Sequence, residues 1–391
     1  MIDPAERWAR SGMAHLTGDP GGPPDFSRAG ILALADEVAD PFDLRVEDLL
    51  AGRSALMSTS RGGRISVGGA TRLIRCRDTW VAFSLARTTD IDSLGALLST
   101  DAAIDDPWST LEDAARTWVA DELVDRAQLL EIPAAVLGSA TAPPTQVTRS
   151  WDRSRPRGVD DNLLVVDLSA MWAGPLCGQL LGGLGATVIK VESPGRPDGA
   201  RAGNQDFFRW MNGTKMLFPA EIADRNTDLA DLIDVADVVI EASRPRALES
   251  AGLDAATRPP VRGRVWVRIT GYGNAPDVRN RVAFGDDAAV AGGLVGRGTG
   301  GPVFCGDAIA DPLTGIEAAR AVVDSLGRGG GEIIDVVMSG VAAKYAAVPI
   351  LSDPEAKQVV AARRPTIAES TGRTVDARWV AHLIERRRAA C

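Results

Sequence analysis

The chain predicts an α/β fold with a parallel sheet covered by helices, and three observations carry that prediction. Residues Leu163-Leu164-Val165-Val166 form a continuous apolar run, suited to a strand buried on both faces. Gly174-Pro175 then opens a helix with Pro at its first position, and the β-branched run 187–191 supplies a second strand, which completes a strand-helix-strand unit of the nucleotide-binding kind. The alternation continues downstream: 228–235 reads as helix, 236–241 as strand, and 265–270 as a further strand ending in Gly271-Tyr272-Gly273.

The opening third has a different rhythm. Residues 71–75 and 80–85 flank a turn at Arg77-Asp78, an antiparallel hairpin signal, and are followed by helical patterns at 108–120 and 121–130 and a strand at 134–138. This predicts a smaller α+β domain. Polar, Pro-rich or Arg-rich stretches at 141–145 and 150–158 read as a linker, so the expected domains are 1–150 and 151–391. A weak internal echo links the Gly/Pro-rich segment 5–24 to 288–302, either as a partial repeat or as chance similarity of such loops.

Composition narrows the function. The 391 residues are 45% hydrophobic, enough for a large core. The net charge of −9, with acids and bases intermixed, leaves no basic stripe and excludes nucleic acid as a partner. No apolar run approaches the roughly 20 residues of a membrane span, and no signal or transit pattern opens the chain, so a cytoplasmic location is expected. Cys76, Cys177, Cys305 and Cys391 are far apart with no paired spacing, which argues for reduced thiols. With only His15 and His382, neither a His-His metal site nor a Ser-His pair is indicated.

At several motifs the chain resembles family III CoA-transferases, the group that includes formyl-CoA transferases, carnitine-CoA transferases and α-methylacyl-CoA racemases. The resemblance rests on Val166-Asp167-Leu168 through Ala173-Gly174-Pro175, on 184–192, on Asn212-Gly213-Thr214-Lys215, on 236–241 and on 270–273. It continues through Asp311-Pro312-Leu313-Thr314-Gly315 to 327–336, and so spans roughly residues 160 to 345. The opening third resembles the other half of the same family, with 60–69 similar to its glycine loop and 130–134 to the last helix-to-strand turn of its small domain. The order of the halves is exchanged, as in a circular permutation or the remnant of a tandem fusion. The resemblance implies a Rossmann-like domain with a small domain folded over it, and a homodimer, possibly interlocked.

It also implies a site. In the family the carboxylate of an Asp-x-x-Ser/Thr-Gly motif attacks an acyl-CoA thioester, which makes Asp311 the candidate nucleophile, with Asp286, Asp287 and Asp307 as nearby alternatives and Asp25 as the counterpart in the echo. The positive end of a helix over 313–326 is expected to keep Asp311 ionised. On the residues alone, Asp followed by Pro at a helix start reads first as an N-cap, and it is the resemblance that puts the nucleophile ahead. The glycine loop places Gly62 and Gly63, with Gly68 and Gly69, where backbone N–H groups could stabilise an oxyanion; a plain hairpin connection needs glycine as well.

For coenzyme A, which enters as acyl-CoA substrate with no tightly bound cofactor implied, the matching positions are Trp172, Ala173, Lys190 and Ser193, with Arg201, Arg244 and Arg281 as phosphate contacts. Ser193, Ala242 and Met216 depart from the family pattern. The co-substrate implied is a small carboxylic acid. Three readings follow: an acyl-CoA:carboxylate CoA-transferase working through an aspartyl anhydride and thioester, an acyl-CoA racemase, or an inactive relative. The racemase's His position reads Phe284-Gly285-Asp286 here, which places the transferase first.

Overall fold

Four helices open the chain in the computed structural model, which describes residues 2–160, 162–222, 227–352, 357–367 and 372–390. They are α1 (Pro4–Arg10), α2 (Met13–Leu16), α3 (Ile31–Ala39) and α4 (Val46–Met57). Strands β1 (Thr71–Arg75), β2 (Trp80–Ser84) and β3 (Ala134–Val136) form an antiparallel sheet in that order. The predicted hairpin is thus present, with Thr71 opposite Ser84 and Arg75 opposite Trp80. Helices Pro107–Ala115 and Ala120–Leu129 cover it, the first shorter than its pattern predicts because Arg116 closes it.

The remaining strands are β4 (Thr145–Arg149), β5 (Leu164–Asp167), β6 (Thr187–Glu192), β7 (Met216–Pro219), β8 (Val238–Glu241), β9 (Val265–Thr270), β10 (Val295–Gly298), β11 (Gly301–Phe304) and β12 (Glu332–Val337). Strands β10 and β11 make a separate hairpin, and the others form a seven-stranded sheet in the order β4-β12-β9-β8-β5-β6-β7. All its neighbours are parallel except β4, which lies antiparallel on β12 at the edge. The fold is therefore the expected mixed α/β architecture with a large, mostly parallel sheet flanked by helices.

The apolar runs are explained by burial on two faces. Val165, Val188, Val238, Ile240, Val265 and Val267 enter one core, while their sequence neighbours Leu164, Val166, Ile189, Val239 and Trp266 enter the other. Helix Ala173–Gly183 begins one residue before Gly174, so Pro175 occupies its third position, where the missing N–H still forfeits no intrahelical bond. Helix Ala310–Gly327 crosses it closely; a Cβ on Gly315 would lie 2.8 Å from the Ala173 carbonyl oxygen, so only glycine fits.

Between the two expected linker stretches the chain forms β4 instead of coil. Its sequence, Thr-Gln-Val-Thr-Arg, has no apolar alternation because the strand sits exposed at the sheet edge, held by backbone pairing to β12. Within 1–150, residues 5–56 bury their side chains in the core of the large sheet, while residues 74–136 have a core of their own. The two regions of the echo lie against each other: Thr299 donates to Asp19 at 2.8 Å, and the Arg297 amide to Asp25 at 3.0 Å. Cys76, Cys177 and Cys305 are buried free thiols, and Cys391 lies outside the described residues.

Candidate functional site

In open parallel sheets ligands bind at the carboxyl ends of strands where the winding direction reverses. Here the chain runs from β5 outward to β6 and β7 and then returns to β8, so the reversal lies between β5 and β8. The loop leaving β5 is held there by two buried lysines. Lys215 donates to Asp167 at 2.8 Å, to the Pro175 carbonyl at 2.7 Å and to Asn212 at 2.9 Å. Lys190 donates to the Ser169 carbonyl at 2.6 Å and pairs with Asp198 at 3.1 Å. Asp198 in turn accepts the amide of Met171, a residue in the left-handed region at φ 72°. The lysines outweigh burial at Asp167 and hold its carboxyl below the usual range.

This clamp presents Trp172, which is 3% exposed and meets Phe207 edge-on at 5.2 Å between ring centroids. Over both rings lies the guanidinium of Arg53 from α4, at 5.4 and 5.8 Å. Arg53 also pairs with Asp307 at 2.6 Å, and Ser54 donates to the same carboxylate at 2.8 Å. Gly52 permits the approach, since a Cβ there would meet the Trp210 ring at 2.5 Å.

Asp311 stands beside this cation. It is the second residue of helix Ala310–Gly327, and the N-cap position is Ile309, so the capping role that Asp-Pro allowed is not the one it plays. Its amide donates to the Ala308 carbonyl at 2.8 Å, and its carboxylate accepts the amide of Gly285, where a Cβ would lie 2.4 Å from Oδ2. The side chain is only partly buried. Burial and the negative charges of Asp286 and Asp307 push its pKa up to about 7, against the opposing pull of Arg53. The helix end expected to keep it ionised is thus outweighed.

Two more carboxyls complete the cluster, both in the first turn of helix Gly285–Ala291. Burial and Asp307 raise Asp286 to about 6, though it accepts bonds from Ser66 and, at 3.0 Å, from the Ala308 amide. Asp287 is fully buried and pushed up to about 7 by burial, while accepting the Phe284 amide at 2.8 Å and the Tyr272 hydroxyl at 3.2 Å. Near neutral pH such carboxyls exchange protons readily, and a raised pKa makes Asp311 a better nucleophile once ionised.

The other expected residues divide sharply. Of the glycine loop, Ser66 reaches Asp286, and a Cβ on Gly68 would come within 3.3 Å of Arg53. Gly62 and Gly63 pack elsewhere: Gly63 accepts the Phe304 amide at 2.9 Å, and a Cβ on it would meet Pro20 at 2.7 Å. Ala173 is buried at the start of its helix. Ser193 donates to Glu221. Arg201 makes a two-pronged bond to Glu192, both contacts at 2.7 Å. Arg244 meets Glu131 at 2.6 Å and Arg281 meets Asp125 at 3.1 Å, ties that join the sheet to the small α+β unit. Asp25 accepts from Ser27 and Arg297 and lies apart from this cluster. Sequence reasoning missed Arg53 altogether; its signal was the polar pair Arg53-Ser54 inside the apolar run of α4. Among the described residues no group of His, Cys, Asp and Glu is arranged to hold a metal ion, and no helix is long and apolar enough to cross a membrane.

The chain is 31% identical over 204 residues to a succinyl-CoA–D-citramalate CoA-transferase of Chloroflexus aurantiacus, covering 46% of this chain and 49% of that protein. It is 32% identical over 209 residues to a probable fatty acyl-CoA transferase of Mycobacterium tuberculosis, covering 48% and 52%. A crystal structure of that mycobacterial protein aligns with 49% of this chain and 57% of its own at 31% identity, with a TM-score of 0.43. The chain spans about half the length of the curated relatives it matches. Residues 161–386, well over half of the sequence and all of the sheet from β5 onward, match the family CoA-transferase family III, and to that family this chain belongs.

Proposed function

We propose that the protein is an acyl-CoA:carboxylate CoA-transferase with Asp311 as nucleophile. The observation that carries this reading is the partly buried Asp311 carboxylate, not capping its own helix and next to Arg53, in the segment where the family motif falls. The ionised carboxylate adds to the thioester carbonyl and expels CoA thiolate, leaving a mixed aspartyl-acyl anhydride. The thiolate then attacks the aspartyl carbonyl, giving an aspartyl-CoA thioester and releasing the first carboxylate. An acceptor carboxylate attacks that thioester and frees the thiolate again. The thiolate finally attacks the acceptor's acyl carbon, which forms the new acyl-CoA and restores Asp311. Arg53 supplies positive charge where anionic oxygen develops, and Trp172 walls the site against water.

The relatives described above carry the names of a succinyl-CoA–D-citramalate CoA-transferase and a probable fatty acyl-CoA transferase, and an acyl-CoA donor with a small carboxylic acid acceptor is the substrate class we infer for this chain. A homodimer belongs to the same proposal, and light scattering of the purified protein tests it. One observation favours a second reading, a relative without turnover: Arg201, Arg244 and Arg281 are each engaged by a carboxylate of this chain.

Incubation with succinyl-CoA followed by hydroxylamine decides between them. The transferase traps a hydroxamate at Asp311, located by peptide mass, and Asp311→Asn abolishes it. Absence of any trapped adduct with succinyl-CoA and with a fatty acyl-CoA refutes the transferase.

A further inference from the structure

A groove of about 370 Å³ is lined by Val295, Arg297 and Pro302 of the hairpin β10-β11 and by Ser27, Arg28 and Ile350 from outside it. None of its lining residues belongs to the cluster around Asp311. Arg28 is only 8% exposed, and its guanidinium donates to three main-chain carbonyls, those of Val295 at 2.8 Å, Ala346 at 2.9 Å and Gly293 at 2.9 Å. A guanidinium carries about five N–H groups, so part of its donor capacity has no acceptor among the described residues, and no carboxylate there pairs with it. A buried cation that meets only carbonyl dipoles is costly, and an anion beside it offsets that cost. Arg297 is exposed and also lacks an ion-pair partner among the described residues.

The balance of charge and apolar surface narrows the occupant. Beside the groove stands the Asp25 carboxylate, which accepts the Ser27 hydroxyl at 2.7 Å and the Arg297 amide at 3.0 Å. Against two guanidinium groups it leaves a surplus of one positive charge, which a single carboxylate neutralises and a doubly charged phosphate overshoots. Val295, Pro302 and Ile350 add apolar wall, and Ile350 is left 38% exposed. We infer that this groove binds a small aliphatic carboxylate, its charge at Arg297 and at the spare N–H groups of Arg28, its chain against the three apolar side chains. The site is separate from Asp311, so the inference does not rest on the transferase reading and goes beyond it.

Calorimetric titration of the whole protein with butyrate, acetate, butyramide and inorganic phosphate tests it. Butyrate is expected to bind, acetate about tenfold more weakly for want of apolar contact, and butyramide, which has the shape without the charge, not at all. Arg297→Ala alters an exposed side chain, so the variant keeps its fold, verified by its circular dichroism spectrum, and it loses about tenfold or more in butyrate affinity. Ile350→Ser weakens butyrate severalfold and leaves acetate unchanged. Asp311→Asn retains wild-type butyrate affinity, which places the bound acid outside the reaction site. No butyrate binding by the wild type, equal affinity in wild type and Arg297→Ala, or loss of binding in Asp311→Asn overturns the groove. Butyramide binding as tightly as butyrate overturns the need for an anion, and phosphate binding more tightly than butyrate overturns the carboxylate assignment. Each of these failures leaves the hydroxamate test, and with it the transferase reading, untouched.

Discussion

Replacing Arg53 by Met removes the only ion-pair partner that Asp307 has among the described residues, and the structure sets the size of the effect. Asp307 is 2% exposed in its side chain and lies 2.6 Å from the guanidinium. Removing one member of a buried pair strands the other charge and costs roughly 3–5 kcal/mol. The Ser54 hydroxyl still donates to Asp307, and Arg53 itself is 22% exposed, so the lower end applies, about 3 kcal/mol. That is about two orders of magnitude in the folding equilibrium. Urea denaturation at neutral pH measures it, and adding Asp307→Asn to the variant is expected to restore most of the loss, because the stranded charge is then gone. The same substitution removes the positive charge that pulls Asp311 and Asp286 down, so the pH at which acylation of Asp311 sets in moves above about 7. An Arg53→Met protein within about 0.5 kcal/mol of wild type, with an unmoved acylation profile, refutes the reasoning.

Three other outcomes follow from the same geometry. Asp286, Asp287 and Asp311 are raised in the folded state to about 6, 7 and 7, so their contribution to stability is full below about pH 4 and is lost as pH rises through 6 to 7. Asp287→Asn therefore flattens the decline in thermal midpoint over that window, whereas a slope unchanged from wild type contradicts the assignment. Lys215→Met leaves Asp167 charged and fully buried, and is expected to cost about 3–5 kcal/mol in urea, with loss of the loop that carries Trp172; a change below about 1 kcal/mol excludes the clamp. Gly174→Val places a Cβ about where Ser169 already has one, 2.2 Å away, and is expected to cost about 1–3 kcal/mol; the variant paired with Ser169→Gly recovers part of that if the clash is the cause.

Much of the site depends on contacts between segments far apart in the chain, and this divides what could be read early from what could not. The strands β5, β6, β8 and β9 were legible because burial on two faces leaves short stretches dominated by apolar and β-branched residues, which local composition displays directly. The hairpin β1-β2 was legible from its turn. Strand β4 was not, since an exposed edge is held by backbone pairing to β12, and that pairing leaves no mark in side-chain pattern. Asp311 could be singled out from the motif around it, but whether it caps its helix was decided only by the placement of Ile309 at that position.

The amino-acid order alone determined the layered α/β class, the family and the candidate carboxylate, because each is written in short stretches whose periodicity or motif is local. Only tertiary structure decided that Arg53, more than 250 positions from its partner, brings the balancing charge to Asp307 and Asp311. It alone showed the arginines at 201, 244 and 281 tied to carboxylates of the chain while Arg28 and Arg297 are left facing a groove. The physical reason is that a charge acts over a few ångströms of space, and which charges share that space is settled by packing.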